Sequence, residues 1–176
     1  SSAASDVYKR QMIYAGLIER SYRSPQYLLM VLQALSEHVN FDFDFFSKGD
    51  CEQDIAKVAE RLGCIKQHGY VSQEELDMAI SKANYMISIG NSSSHSVPSK
   101  LITYFSYGKP IIHFSSQEDD VCKEYLLKYP LALIIDQSQP IEYSCDKIIK
   151  FIKNTKGKTI PFDEIRDSLI LNPPSY

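Results

Sequence analysis

Short apolar runs alternate with longer amphipathic segments along most of the chain. The runs predict six buried strands, which cover residues 12–16, 41–46, 64–67, 85–89, 111–114 and 131–135. Between them, apolar side chains recur every three or four residues, as they do on one face of a helix. Strands that alternate with amphipathic helices favour an α/β fold, here a Rossmann-like, doubly wound parallel sheet of about six strands with helices on both faces.

Several of the predicted helices have recognisable ends. Ser24 and Pro25 suit the cap and the first turn of a helix. Ser72 and Glu75 have the spacing of a capping box, in which each side chain accepts a hydrogen bond from the other residue's backbone N–H. Gly63 follows the last apolar position of another helix and is expected to end it. These signals support the alternation that the apolar runs predict.

The organisation that we predict is a single domain. Residues 1–11 are polar and contain no Met, so we expect a disordered or expression-derived leader there. No linker-like stretch interrupts residues 12–153, and the pattern near 160–170 suggests one more helix. Residues 12–176 are therefore assigned to one Rossmann-like domain.

Composition and charge narrow the range of functions. Apolar residues make up 44% of the chain and charged residues 23%, which is typical of a globular protein. The net charge of −3 gives no basic footprint for nucleic acid, and no apolar run approaches the roughly 20 residues of a membrane span. The four cysteines form no CxxC pair and are interpreted as reduced thiols. Cys64 and His68 are interpreted as a poor metal site, so no bound metal is expected.

Candidate binding residues follow the predicted strands, because ligands of such sheets bind at the carboxyl ends of the strands. Gly16 ends the first run, and a polar loop leads from Gly90 to a helix start at Ser99 and Lys100. Backbone N–H groups at a helix start favour a phosphate, and a lysine in the first turn opposes the helix dipole unless an anion binds. A solvated Lys100 on an exposed face is the alternative.

Arg23 is a second candidate for a phosphate. It lies seven residues after Gly16 beside a helix start, with Arg20 as its rival and a purely exposed position as the alternative. The dinucleotide fingerprint GxGxxG, the phosphate loop GxxxxGK(S/T) and the hydrolase elbow GxSxG are all absent. Nicotinamide, ATP-hydrolysis and serine-hydrolase chemistry therefore lose their main support.

The remaining polar residues of interest are histidines and aspartates. His95 lies in the polar loop and is the least structural histidine, whereas His113 lies inside a strand and is expected to be buried with its polar atoms satisfied. Asp42 and Asp44 alternate within one strand. We interpret them as a solvent-facing edge rather than as the acidic cluster of a response-regulator-like switch.

A set of short motifs occurs in a familiar order. They are Tyr14-Ala15-Gly16-Leu17, Arg23-Ser24-Pro25, His68-Gly69-Tyr70-Val71, Ala83-Asn84-Tyr85, Val97-Pro98-Ser99-Lys100-Leu101 with Tyr104, and Gly108-Lys109-Pro110-Ile111-Ile112. With these motifs, residues 12–153 resemble the C-terminal, donor-binding domain of glycosyltransferases with the GT-B fold. The resemblance is strongest to the family 4-like retaining enzymes of polysaccharide synthesis.

The resemblance implies that a nucleotide-sugar, UDP- or GDP-linked, binds between two Rossmann-like domains, without a further cofactor. It implies that Gly16 lets the diphosphate approach the backbone and that Arg23 pairs with the diphosphate. The backbone around Tyr70 and Val71 would meet the base, and the loop and helix start would hold phosphate or sugar hydroxyls. The donor-binding residues implied in this way are Gly16, Arg23, Tyr70, Val71, Asn91, His95, Ser99, Lys100 and Thr103.

Two carboxylates of the resembled family are missing. Thr103 stands where relatives often carry a glutamate for the donor ribose, and His95 stands where many carry a second glutamate near the sugar. The catalytic groups are unknown and would lie in an N-terminal acceptor domain that this chain lacks. The 176 residues are therefore interpreted as half of a longer enzyme, and we expect them to transfer no sugar alone.

Three functions stay open from the sequence. The first is the donor half of a glycosyltransferase that acts on a saccharide or lipid-linked acceptor, cytoplasmic or peripheral to the inner face of a membrane. The second is a non-catalytic binding or scaffold module with a decayed donor site. The third is a different enzyme on a similar fold, such as a nucleotide-sugar epimerase.

Overall fold

The computed structural model describes residues 8–92, 97 and 99–169. Within them six strands form one sheet, namely β1 (Arg10–Ile18), β2 (Phe41–Gly49), β3 (Ile65–Gln67), β4 (Tyr85–Ile89), β5 (Ile111–Ser115) and β6 (Ala132–Asp136). Neighbouring strands are parallel, and their order is β3-β2-β1-β4-β5-β6. The order reverses between β1 and β4, as in doubly wound folds. The predicted Rossmann-like sheet is confirmed.

Helices cover both faces of the sheet. They are α1 (Gln26–Leu35), α2 (Glu52–Leu62), α3 (Gln73–Lys82), α4 (Ser99–Phe105), α5 (Cys122–Leu127), α6 (Ile141–Thr155) and α7 (Phe162–Leu169). One apolar cluster joins α1, α2 and α6 to the sheet, and a second joins α3, α4, α5 and α7 to it. Because side chains alternate along a strand, β1 sends Met12 and Tyr14 to the first cluster, and Ile13 and Ala15 to the second. None of the described helices is both long and apolar enough to cross a lipid bilayer.

The helix ends agree with the predicted caps, except that the N-cap of α1 lies one residue later than predicted. Gly63 ends α2 with φ of +73°, and Ser72 with Glu75 forms the capping box of α3 through hydrogen bonds of 3.2 and 3.4 Å. At α1 the cap is Pro25 rather than Ser24, and the Ser24 hydroxyl instead accepts a hydrogen bond from the first helical N–H at 3.3 Å. The helix expected near 160–170 is present as α7.

Two strands are longer than the apolar runs predict. The pairing of β1 with β2 continues from Arg10 opposite Phe41 to Ile18 opposite Gly49. The strand therefore begins before the predicted residue 12, inside the expected leader. Lys48 and Gly49, which follow the predicted run 41–46, belong to β2. Backbone pairing with a neighbouring strand extends both strands beyond the buried side chains, which is information that hydrophobicity does not carry.

The interpretation of Asp42 and Asp44 as a solvent-facing edge is wrong. Their strand lies inside the sheet, between β1 and the short edge strand β3. Both side chains are half-buried and paired, Asp42 with Lys9 at 3.4 Å and Asp44 with His68 at 2.7 Å. Polar partners therefore satisfy the two carboxylates on a partly covered face of the sheet.

Candidate functional site

A cavity of about 240 Å³ opens at the carboxyl ends of β1 and β4, where the strand order reverses. Ligands of doubly wound sheets bind at this point of the topology. The cavity brings together residues that are far apart in the chain, and these include the predicted donor-binding residues Gly16, Arg23, Tyr70, Ser99 and Lys100. We call it the donor-edge cavity.

Backbone and two tyrosines line the end of β1. Gly16 has φ of +145°, a conformation that glycine adopts readily and other residues rarely do. The Tyr14 hydroxyl donates to the carbonyl of Leu17, and the Tyr104 hydroxyl accepts from the N–H of Ala15, each at 2.9 Å. Burial raises the pKa of Tyr14 to about 12 and also raises the pKa of Tyr104. Both hydroxyls therefore keep their protons at neutral pH.

Arg23 is held across the ends of β1 and β4. Its Nε donates to Oδ1 of Asn91 at 2.8 Å, and its Nη1 donates to the carbonyl of Leu17 at 3.1 Å. The guanidinium carbon lies 5.7 Å from the centroid of the Tyr22 ring. These contacts fix a permanent positive charge beside the backbone of Gly16.

Arg20, the rival of Arg23 in the sequence, is used elsewhere. Its guanidinium contacts the carboxylate of Asp54, and its backbone N–H donates to Asp50 at 2.8 Å. It does not line the donor-edge cavity. The tertiary contacts therefore separate two arginines that the sequence leaves nearly equivalent.

Lys100 supplies a second cation from the first turn of α4. Its side chain is half-buried, and its ammonium makes no hydrogen bond or ion pair with the side chain of another described residue. Hydrogen bonds from Tyr107 and Gln73, and to a lesser extent the charge of Lys100, lower the pKa of Asp77. Ser99, the residue before Lys100, also lines the donor-edge cavity. A lysine placed against the helix dipole is electrostatically favourable only beside negative charge.

An adjoining cavity of about 300 Å³ continues from Gly16 and Lys100 toward Val71. Tyr70 lines both cavities, and 56% of its surface is exposed. The Lys48 ammonium lies 5.7 Å from the centroid of the Tyr70 ring. An exposed aromatic ring beside a cavity offers a face on which a planar base can stack.

The other predicted donor-binding residues have different positions. Asn91 does not line either cavity but holds Arg23. The Thr103 hydroxyl donates to the carbonyl of Ser99 at 3.3 Å, inside α4, and Thr103 lines neither cavity. His95 lies outside the described residues. Among the described lining residues of the two cavities, none is Asp or Glu.

The chain was compared with protein families, curated proteins and solved structures, and only solved structures show a similar fold. No protein family matches the chain, and no curated protein matches it. The solved structure of WaaG, a glycosyltransferase involved in lipopolysaccharide biosynthesis, is 11% identical with a TM-score of 0.69, over 94% of this chain and 44% of that one. The C-terminal domain of the group 1 glycosyl transferase LpcC from Francisella tularensis is 9% identical with a TM-score of 0.65, over 95% of this chain and 87% of that one.

This chain has the fold of a GT-B C-terminal domain. A third structure, the pneumococcal O-GlcNAc transferase GtfA in complex with UDP and GlcNAc, is 13% identical with a TM-score of 0.65, over 90% of this chain and 32% of that one. The GT-B domain thus spans less than half of WaaG and about a third of GtfA, but most of the LpcC domain. The resemblance expected from the motifs is confirmed for the fold.

A buried polar network lies behind the donor-edge cavity of the GT-B domain. His113 is fully buried, and its Nδ1 and Nε2 contact Oγ of Ser88 at 2.9 Å and Oδ2 of Asp120 at 2.7 Å. The other oxygen of Asp120 accepts from the N–H of Cys122 at 2.9 Å. His113 is thus buried and satisfied as predicted. Ser88 also lines the cavity, so the network reaches the site.

This network supports the loop that carries Asn91. Burial alone would raise the pKa of Asp120, but the hydrogen bond and the charge of His113 outweigh it and lower that pKa to about 2. A Cβ on Gly90 would lie 2.4 Å from Oδ2 of Asp120, so the backbone packs directly on the carboxylate. Sequence reasoning missed this role of Asp120. A glycine directly after a buried strand is the one signal that pointed to a close approach there.

Two groups of residues contain the side-chain types that bind metals, namely His113 with Asp120 and Cys122, and Cys64 with His68. His113, Asp120 and Cys122 lie close together, but they already satisfy one another, and burial with Asp120 nearby raises the pKa of the Cys122 thiol. Cys64 and His68 line different cavities, and His68 is paired with Asp44. No metal is therefore assigned to the described residues.

Proposed function

We propose that this chain is the donor-binding domain of a GT-B glycosyltransferase and binds a nucleoside-diphosphate sugar in the donor-edge cavity. One observation carries the proposal: Arg23 and Lys100 converge on one cavity beside the backbone of Gly16, and none of its described lining residues is acidic. Two cations and nearby backbone N–H groups are what a diphosphate needs, both when bound and when it departs with the developing negative charge.

The two cations have complementary chemistry. Arg23 is oriented by Asn91 and Leu17, so its planar guanidinium meets a phosphate with little loss of freedom. Lys100 adds a point charge, and none of the ion pairs among the described residues includes it. A bound diphosphate would bridge both groups. The permanent charge of Arg23 and the ammonium of Lys100 would then stabilise the leaving group at neutral pH.

The base would lie toward Tyr70 and Val71. The Tyr70 ring is exposed and borders both cavities, so it can stack on a uracil or guanine ring. The structural relative GtfA was solved with UDP and GlcNAc. We therefore propose a UDP- or GDP-linked donor, in which the diphosphate lies over Gly16 and the base over Val71.

We further propose that sugar transfer needs a second domain. Both full-length relatives compared above are more than twice as long as the matched region. A second domain would provide the acceptor site, the catalytic groups and any contact with a membrane surface. The acceptor would be a saccharide or a lipid-linked saccharide of polysaccharide synthesis, used at the cytoplasmic side. Release of UDP or GDP from a nucleotide-sugar by this chain alone would contradict the proposal.

A non-catalytic binding module is the second candidate function. It is favoured by the lack of an acidic residue among the described lining residues, and by Thr103, whose hydroxyl is engaged within α4. Neither a carboxylate nor the Thr103 hydroxyl is then available for the donor ribose. The two candidates differ in whether a nucleoside diphosphate binds.

Ligand-induced stabilisation separates the two candidates. A ligand at about 100 times its dissociation constant stabilises the folded state by about 2.7 kcal/mol, which raises the melting temperature of a chain of this size by about 5–10 °C. We expect UDP, GDP or one of their sugars to produce such a shift. Arg23→Ala and Lys100→Ala should each abolish most of it, since a hydrogen bond to a charged group contributes about 1.5–3 kcal/mol.

Matched controls test whether the cations act at the cavity. Arg20→Ala removes an arginine that pairs with Asp54, and Lys57→Ala removes an exposed lysine on α2. Both controls should keep the full shift. No shift with any of the nucleotides in the unmodified chain would reject the donor-binding role and favour the binding module.

A further inference from the structure

A cavity of about 260 Å³ lies at the opposite edge of the sheet, where the strands begin. It is bordered by the start of β1, the link from α3 to β4, the residues before β5 and the end of α6. Arg10 lies at this edge and Gly16 at the donor edge. Gly16 lies six positions after Arg10 on β1, so the two positions are about 20 Å apart along the strand. The proposed donor-binding role does not use this second cavity.

Positive charge is concentrated on its walls. None of the described lining residues is Asp or Glu, whereas the cationic ones are Arg10, Lys82, Lys109, Lys156 and Lys158. The chain as a whole has a net charge of −3, so the excess of cations is local. We call this the basic cavity. Like charges that converge on one cavity repel one another, and a bound anion would remove that repulsion.

Lys109 is fixed in the wall by the end of α3. Its ammonium donates to the carbonyls of Ile80, Ser81 and Ala83 at 2.5, 2.7 and 2.8 Å. These carbonyls lie at the end of α3, where Ala83 follows the last helical residue and the carbonyl of Ile80 also accepts from the N–H of Ala83 at 3.1 Å. Three hydrogen bonds hold the ammonium rigidly, so the cavity contains a positioned charge rather than only mobile surface lysines.

Arg10 provides a second positioned cation. Its Nη1 donates to the carbonyl of Tyr8 at 3.1 Å, and its guanidinium carbon lies 5.3 Å from the centroid of the Tyr8 ring. The Lys156 ammonium lies 5.0 Å from the same centroid. Nε of Arg10 is buried and has no hydrogen-bond partner among the described residues. A buried donor without an acceptor is unfavourable, and an anion in the cavity would supply the acceptor.

We propose that the basic cavity binds a phosphate group, either of a small phosphorylated molecule or of a lipid headgroup. Arg10 would form the fixed part of the site that donates to the phosphate, and Lys109, whose three N–H donors are used by carbonyls, would add only its positioned charge. The exposed Lys156 and Lys158 would close on the phosphate from the end of α6.

Inorganic phosphate is the probe for this site. The full chain is titrated with phosphate at constant ionic strength, and backbone amide shifts are followed by NMR. We expect saturable changes at Arg10 and at the residues around Lys158. Each lost cation contact should weaken binding about tenfold, and Lys156→Gln/Lys158→Gln should therefore weaken it about a hundredfold. The matched control Lys150→Gln/Lys153→Gln changes two exposed lysines outside the cavity and should leave binding unchanged.

The donor-edge cavity also attracts phosphate in our proposed function, so the titration is repeated with Arg23→Ala. Changes at Arg10 that persist in this variant would establish an independent site. Changes confined to Gly16 and Lys100 in the unmodified chain would overturn the proposal. Equal weakening by the two double-lysine variants would also overturn it, because general attraction to surface charge would then explain the binding.

Vesicles distinguish the two sources of phosphate. The chain is sedimented with vesicles of phosphatidylcholine alone and with vesicles that also contain phosphatidic acid. Sedimentation that requires phosphatidic acid and is lost in Lys156→Gln/Lys158→Gln would identify a lipid headgroup. Saturable binding of inorganic phosphate without such sedimentation would identify a small phosphorylated molecule. Absence of both would refute the site.

Discussion

The buried carboxylate of Asp120 makes the stability of this GT-B domain depend on acid pH. In the folded chain, its side chain accepts hydrogen bonds from His113 and from the N–H of Cys122. The substitution Asp120→Asn keeps the size of the side chain but removes its charge and its titration. We expect the variant to be less stable than the unmodified chain by about 1–3 kcal/mol at neutral pH, because one of the two acceptors is lost.

The pH dependence follows from the pKa of the carboxyl group. That pKa is about 2 in the folded chain, against 3.8 for an unperturbed aspartate. At about 1.4 kcal/mol for each pKa unit, the lowered value contributes about 2.5 kcal/mol of stability. Because the folded pKa is the lower one, this contribution is complete above about pH 5 and disappears as the pH falls from about 4 to about 2. About 1 kcal/mol of it is lost by pH 3.

Urea unfolding at a series of pH values measures this contribution. The free energy of unfolding is determined for the unmodified chain and for Asp120→Asn between pH 6 and pH 3. The difference between them should narrow by about 1 kcal/mol over this range, because the variant has no carboxylate to protonate at this position. Other acids titrate equally in both proteins and cancel.

Asp119→Asn is the matched control, since this exposed neighbour lies outside the buried network. Its difference from the unmodified chain should stay constant with pH to within about 0.3 kcal/mol. If the Asp120→Asn difference were equally constant, the carboxylate would not be stabilised by His113. The account of a buried ionised network behind the donor-edge cavity would then be wrong.

Other substitutions test two glycine turns and one helix cap of the fold. Gly63→Ala, at φ +73° with no atom within 4 Å of the new Cβ, should cost about 1–2 kcal/mol from strain alone in chemical denaturation. Gly108→Ala, at φ +69°, would place a Cβ 2.2 Å from the carbonyl oxygen of Ile160, so its loss of stability should exceed that of Gly63→Ala by about 1–3 kcal/mol. Equal losses would contradict the close approach. Ser72→Ala removes half of the capping box with Glu75 and should lower the free energy of unfolding by about 1 kcal/mol, and an unchanged value would show that the box contributes nothing.

The order of strands and helices could be predicted from the sequence because buried segments are recognisable from the spacing of apolar residues that are close together in the chain. Residues of β4 and β5 are buried throughout, and the corresponding runs are apolar in the chain. Helix ends were predictable where one residue has a conformational role, as Gly63 does. Strand ends were not, since Lys48 and Gly49 are in β2 through pairing with β1 rather than through hydrophobicity.

The candidate site could be predicted only in part. Arg23 and Lys100 were chosen because cations near helix starts suit phosphates, and both line the donor-edge cavity. Thr103 was assigned by position in a resembled motif, yet its hydroxyl bonds within α4. The roles of Tyr14 and Tyr104 were missed. Each tyrosine is apolar enough to count as core, and nothing local reveals that a buried hydroxyl ends beside the cavity.

The sequence by itself determined the elements, their alternation and the chemical types available at the strand ends. Only the tertiary structure decided which of those residues meet. It separated Arg23 from Arg20 by pairing the latter with Asp54, and it joined His113 to Asp120 behind Gly90. The physical reason is that helix and strand patterns depend on neighbours a few residues apart. A binding site depends instead on contacts between strands distant in sequence, which form only when the whole sheet has assembled.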